Sequence, residues 1–282
     1  MESTAHRPVI TGDPSVTRKL SLLLLLLALS ACAVSPTGRR QLAFMPASYM
    51  TVMGVQSFEQ IRQETPALKD TAIQDYVQCV ADAITALPEV QRSSSDWEVV
   101  VFDSPTVNAF ALPGGKIGVY KGLLAVADTP DRLAAVLGHE VGHVLAHHGN
   151  ERVSQNFAVN QTLALLDNWL AENNVANREQ AMGLLGVGAQ VGVLLPFSRK
   201  HESEADQIGQ DLMAKAGFDP RASVILWRNM SKAGGKAPPE FLSTHPANET
   251  RIEQLQAGMD TAMQQYRAVG RKPVCKVPKE NK

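Results

Sequence analysis

Two histidines four residues apart with a glutamate beside the first, His139-Glu140-Val141-Gly142-His143, are the residues of this chain best suited to chemistry. On a helix of ~3.6 residues per turn, positions four apart lie ~40° apart around the axis, so both imidazoles point into one space. Two neutral imidazole nitrogens on one face suit Zn²⁺, and Glu140 is placed to act on a water at the metal. The pentapeptide is short and also arises by chance, so its surroundings must carry the reading. A second set lies downstream in Ser198-Arg199-Lys200-His201-Glu202-Ser203-Glu204-Ala205-Asp206. Glu202 and Asp206 share one helical face there, and Glu204 points roughly the opposite way. Glu202 is the candidate third metal ligand, and Asp206 a carboxylate able to hold a ligating histidine in orientation. A third ligand from the first helix itself is excluded, because Ala146 and Gly149 stand where an HxxGxxH continuation needs glycine and histidine. His147 and His148 follow too closely to reach the same ion and read as polar residues favoured at a helix end.

The elements that must position these groups are legible nearby. Thr129-Pro130-Asp131 reads as an N-cap, a proline at the first helical position and an acid near the positive end of the dipole. Leu133, Val136, Leu137, Val141, Val144 and Leu145 recur at helical spacing and Gly149 is a natural stop, which predicts a helix over roughly 130–148. Gly138 and Gly142 each cost roughly 1 kcal/mol relative to alanine in a helix, which points to a second backbone packed closely against them. Residues 47–88 read as helices, with Val55, Phe58 and Ile61, then Ile73, Tyr76, Val77 and Val80, as their apolar faces. Residues 154–195 hold a helix followed by the apolar run Met182–Leu195, in which Gln190 and four glycines favour a buried or cleft-covering helix over a membrane span. Asp219-Pro220 starts another helix, a last one is expected around 247–268, and the Lys- and Pro-rich tail from Arg271 reads as extended. Trp97–Phe102 and Ile117–Tyr120 have strand composition, with Pro113-Gly114-Gly115 as a turn.

The N-terminus speaks to compartment. Arg18-Lys19 precede an apolar run, Leu20–Leu29, that is too short to span a membrane and suits a signal peptide. The following Leu29-Ser30-Ala31-Cys32 resembles a bacterial lipobox, in which cleavage leaves Cys32 to carry lipid, and Ala33 after it suggests sorting to the outer membrane. Removing 31 of the 282 residues leaves 251, enough for one domain with a sizeable core. Arg7, Arg18, Lys19, Glu2 and Asp13 leave with that segment, so the net charge moves from −1 to −2 and gives no sign of nucleic-acid binding. Cys79 and Cys275 then remain. In an oxidising periplasm such a pair invites a disulfide, the alternative being two separate thiols.

Taken together, HExxH followed by ExxxD within SRxxExxAD resembles the zinc metallopeptidases related to the type 1 CAAX prenyl proteases, in a soluble bacterial lipoprotein form. Thr37-Gly38-Arg39-Arg40-Gln41-Leu42 is similar to the start of the mature chain in that family. Asn108-Ala109-Phe110-Ala111-Leu112-Pro113-Gly114-Gly115 is similar to its strand and turn before the active-site helix, and Ser243-Thr244-His245-Pro246 with Arg251 to a late element. The resemblance covers about residues 35–270 and implies an α+β fold, a mainly helical zincin-like domain with a small β-sheet. It divides the chain into a lipoprotein signal peptide (1–31), a linker (32–46), a zinc metallopeptidase domain (47–270) and a tail (271–282).

The resemblance also assigns roles. His139, His143 and Glu202 would hold one Zn²⁺ per chain, and Glu140 would take the proton of the attacking water and pass it to the leaving amine. His245 and Arg251 become candidate donors to the oxyanion; alternatively, His245 closes the fourth metal position in a latent resting state. Asn108, Ala109, Phe110 and Ala111 would bind an extended peptide as an added strand. The expected function is hydrolysis of unfolded or misassembled envelope proteins at the periplasmic face of the outer membrane, with the lipid on Cys32 as anchor. The rival expectations are a largely latent zinc-binding assembly factor for outer-membrane proteins, and an aminopeptidase, for which no acidic motif that would capture a free amine is evident.

Overall fold

The computed structural model describes residues 32–278 apart from 174, 176, 181, 184–197, 234–239 and 247–248. The expected signal peptide and most of the Met182–Leu195 run lie outside the described residues. The described residues open with a small antiparallel ribbon, β1 (Cys32–Val34) and β2 (Arg40–Leu42). Helices α1 (Ala47–Glu64), α2 (Thr71–Thr85) and α3 (Pro88–Gln91) follow, and the Asp70 carboxylate caps α2 by accepting from the Ala72 and Ile73 amides.

Strands β3 (Glu98–Phe102), β4 (Ala109–Leu112) and β5 (Lys116–Tyr120) form a sheet in the order β3-β5-β4. β4 and β5 are the antiparallel hairpin across Pro113-Gly114-Gly115, where both glycines take the left-handed backbone that the tight turn needs (φ 87° and 73°). β3 returns on the far side of β5, in parallel. β4 is thereby left as an edge strand.

A 3₁₀ turn (Lys121–Ala125) leads to α4 (Pro130–Leu145), which carries the HExxH residues and is buried continuously from Leu133 to His143. The apolar spacing predicts this helix through residue 148, but it ends at Leu145. His147 adopts a left-handed conformation (φ 55°), α5 (His148–Glu172) begins at once, and Gly149 falls inside α5 rather than stopping α4. A left-handed residue just past a helix end satisfies its last carbonyls and redirects the chain, and histidine is among the non-glycine residues that tolerate it.

Then come α6 (Arg199–Lys215), α7 (Arg221–Ala233), α8 (Glu240–Thr244), α9 (Glu249–Ala257) and α10 (Met259–Ala268). The single helix expected near 247–268 is thus two, broken at Gly258. A continuous apolar core joins α2, the inner face of the sheet, α4, α6 and α7. Past α10 the described residues form no regular element, and Cys275 is disulfide-bonded to Cys79 on α2, 196 residues away in sequence. The architecture is α+β, mostly helical with small sheets, the design expected of a zincin-like domain. Among the described residues no helix is long and apolar enough to cross a membrane.

Candidate metal centre

The site is made where α4 and α6 cross. The Thr129 side chain caps α4 by accepting from the Arg132 amide, and the Ser198 hydroxyl caps α6 by accepting from the His201 amide. Glycines let the two backbones touch. A Cβ on Gly138 would stand 2.7 Å from the Gly209 carbonyl oxygen, and one on Gly142 would stand 2.9 Å from that of Ala205. This contact presents the Glu202/Asp206 face of α6 directly to His139 and His143.

Four side chains converge there. His139 Nε2 lies 3.1 Å from His143 Nε2 and 3.2 Å from His245 Nδ1. Glu202 Oε1 lies 3.1 Å from His245 Nδ1 and 3.4 Å from His143 Nε2, and its Oε2 is 3.4 Å from His139 Nε2. All four residues are 4% exposed or less. Donors ~2.0–2.1 Å from a tetrahedral ion stand roughly 3.3 Å from one another, which is the spacing found. His139 Nδ1 is 3.0 Å from Asp206 Oδ1, so in the neutral tautomer its proton sits there and its Nε2 lone pair faces the cluster. Glu202 Oε2 is buried with no aligned hydrogen-bond donor, although Arg251 Nη1 is 2.9 Å away. Inward-facing lone pairs around this carboxylate fit a divalent cation, and nitrogen–oxygen ligation of this kind suits zinc.

Glu140 is buried beside the cluster. Its Oε1 has no hydrogen-bond partner and stands 3.5 Å from His245 Nε2, and the Ala111 backbone amide of β4 donates to the carboxylate. Burial pushes its pKa above the usual carboxylate value against the pull of His245 and His139. Burial also lowers the pKa of His139, but Asp206 and Glu202 outweigh it and lift the imidazole to about 9. A divalent cation would take that proton's place. Burial holds His143 well below its ordinary value despite Glu202.

Arg251 sits behind the site, not at its mouth. It is 1% exposed, donates to Asp206 through Nε (2.5 Å) and Nη2 (2.7 Å) and to the Pro246 carbonyl through Nη1, and lies 3.8 Å over the Trp227 ring. Its guanidinium therefore braces Asp206 and Glu202. Among the expected substrate residues, Asn108 precedes β4 and caps it, its Oδ1 accepting from the Ala109 amide and its carbonyl from the Tyr120 amide. The Phe110 ring stacks on Phe102, meets Phe58 edge-on and lies tilted against Tyr120. Because Asn108 bonds to β5, hydrogen bonding alternates so that the backbone groups of Ala109 and Ala111 point to the outer edge.

Several residues here escape the sequence reading. Glu204, on the other face of α6, accepts from Ser35, Thr37, Arg39 and His148. His148 is fully buried, and its Nδ1 is 2.9 Å from His143 Nδ1. Glu151 bridges Arg39 and His201. The two adjacent histidines at 147–148 and the second acid of Glu202-Ser203-Glu204 are the only hints in the sequence.

The model of peptidase family M48 matches residues 68–258, more than half of the chain. The chain is 39% identical over 189 residues to the mitochondrial metalloendopeptidase OMA1 of Schizosaccharomyces pombe, covering 66% of this chain and 53% of that protein. It is 40% identical over 176 residues to its Arabidopsis thaliana counterpart (61% and 34%). It is 30% identical over 210 residues to the beta-barrel assembly-enhancing protease of Yersinia pestis (71% and 42%). The chain thus spans between about a third and about half of the length of these relatives. With HExxH on α4 facing Glu202 and Asp206 on α6, and that match running across both helices, the chain belongs to peptidase family M48.

Proposed function

We propose that this chain is a zinc-dependent endopeptidase, with His139, His143 and Glu202 as ligands and Glu140 as general base and then acid. The observation that carries the proposal is the buried His139–His143–Glu202 donor set at tetrahedral spacing with the unpartnered Glu140 oxygen beside it. Zinc bound there would polarise a peptide carbonyl and lower the pKa of a bound water to about 7. Glu140 takes a proton from the water that adds to the carbonyl carbon and delivers it to the amine as the C–N bond breaks. Its burial raises its basicity for this task. Asp206 fixes the His139 tautomer, and Arg251 holds Asp206 in place. The outer edge of β4, through the backbone groups of Ala109 and the carbonyl of Ala111, takes the substrate as an extended strand, which brings its carbonyl past Glu140.

The substrates we propose are unfolded or misassembled envelope proteins, met at the periplasmic face of the outer membrane with Cys32 as the lipid anchor. The lipobox-like sequence supports the location, as do the relatives named as beta-barrel assembly-enhancing proteases in Yersinia pestis and Escherichia coli O157:H7. The mitochondrial relatives support the reaction class rather than the compartment.

A second reading is favoured by His245, whose Nδ1 stands among the ligand atoms at the fourth corner of the set. In that reading the resting enzyme is latent and His245 must leave before substrate enters. Casein cleavage by wild type, Glu140→Gln and His245→Ala, with zinc content measured on each, tests both readings. Zinc in all three with cleavage lost in Glu140→Gln supports the endopeptidase, and equal cleavage by Glu140→Gln refutes it. Faster cleavage by His245→Ala supports latency, whereas slower cleavage supports His245 as an oxyanion donor.

A further inference from the structure

His139 and His143 are held differently from behind. His139 Nδ1 meets a carboxylate directly, at Asp206. His143 Nδ1 meets His148 Nδ1 at 2.9 Å, and His148 Nε2 in turn meets Glu204 Oε2 at 3.0 Å. The protons in this chain run one way. A carboxylate only accepts, so Nε2 of His148 carries the proton toward Glu204. A neutral His148 then offers Nδ1 as an acceptor, and His143 must donate from its own Nδ1. That choice leaves the Nε2 lone pair of His143 aimed at His139 and Glu202.

Glu204 is itself held by a segment from the start of the chain. The Ser35 and Thr37 hydroxyls donate to its Oε1, and Arg39 Nε donates to its Oε2 at 2.7 Å. Arg39 also forks onto Glu151, on the same helix as His148, through Nη1 (3.1 Å) and Nη2 (2.8 Å). Gly38, with φ 87°, turns the chain so that Ser35, Thr37 and Arg39 all face this acid. Segment 35–39 thereby ties α5 to α6 behind the metal site. The path from Arg39 to His143 consists of hydrogen bonds between buried or half-buried groups, without a gap.

We propose that His148 and Glu204 form a positioning relay for His143, completed by the N-terminal segment Ser35–Arg39. The relay rests on the reading of His143 as a metal ligand. It makes a segment more than 100 residues from His143 in sequence part of what sets metal affinity. His148 and Glu204 touch neither substrate nor metal; they act through His143.

The test uses the full mature chain, with zinc affinity read by competition against a chromophoric chelator. The visible absorption of the cobalt-substituted protein reports ligand geometry independently of activity. His148→Leu fills the space without an acceptor and should weaken zinc roughly 10–100-fold and alter the cobalt bands. His148→Gln, whose amide oxygen can accept from His143 Nδ1–H, should recover most of that loss. Arg39→Met should weaken zinc several-fold from the outer end of the relay. Equal affinities for His148→Leu and His148→Gln would overturn the relay, because packing alone would then explain the effect. If His148→Leu does not fold, Arg39→Met decides, and affinity equal to wild type in that variant overturns the proposal. A wild-type chain that binds no zinc would instead refute the metal-site reading beneath it.

Discussion

Replacing Gly209 by alanine perturbs the helix crossing on which the whole site depends. A Cβ at 209 would lie 2.6 Å from the His139 nitrogen, 2.7 Å from the Gly138 carbonyl carbon and 2.8 Å from His139 Cα. All three are backbone atoms and none can rotate away. Ordinary contact begins at 3.4 Å, so α4 and α6 must separate by about 0.8 Å, the difference between 3.4 and 2.6. Overpacking of this kind costs about 1–3 kcal/mol, or a fall in Tm of roughly 2–12 °C for a domain of this size. Metal ligation tolerates only about ±0.2 Å, and Glu202 rides on the displaced helix, so zinc affinity should fall with stability. Urea unfolding of chelator-treated protein and zinc competition read the two effects separately. Gly149→Ala is the control: it also lies in a helix, its nearest new neighbour is the Met50 methyl at 3.9 Å, and it should gain about 0.5–1 kcal/mol. A Gly209→Ala protein equal to wild type in both stability and zinc affinity would refute the claim that this close crossing builds the centre.

Three other outcomes follow from the same packing. Arg251→Met should cost about 3–5 kcal/mol by urea unfolding, because it leaves Asp206 and Glu202 buried without their cation; a cost below about 1 kcal/mol would contradict the bracing role. Cys79→Ser with Cys275→Ser frees a closure of 196 residues and should lower stability by roughly 2–5 kcal/mol, with the reduced wild type melting like the double variant. Burial acts to raise the pKa of Glu204, but Ser35, Thr37, His148 and Arg39 outweigh it and hold the carboxyl at about 2. The stability this contributes is fully present above about pH 4.5 and is lost as pH falls toward 2, so thermal melts below about pH 4.5 should steepen in wild type relative to Glu204→Gln.

What the sequence makes legible here is local. His139 can be paired with His143, and Glu202 with Asp206, because helical periodicity alone decides which residues of one helix share a face; joining the two pairs takes the family resemblance. Gly138 and Gly142 announce a close backbone before its identity is known. The reading fails where a single backbone angle intervenes: nothing in the composition flags the left-handed turn at His147 that moves His148 off a helix end and behind His143. Glu204 is correctly placed opposite Glu202, yet its meaning depends on Arg39, which is 165 residues distant. The partners of Arg251 are equally illegible, since they lie on α6 and at Trp227 and no spacing rule connects them. The parallel pairing of β3 with β5 is likewise non-local, whereas the β4–β5 hairpin is written in Pro113-Gly114-Gly115.

The most direct test of the account is anomalous diffraction at the zinc edge from crystals of the zinc-loaded chain. The prediction is one peak within about 2.0–2.2 Å of His139 Nε2, His143 Nε2 and a Glu202 oxygen. No peak at that point, or a peak held instead by His148, Glu151 and His201, would contradict it.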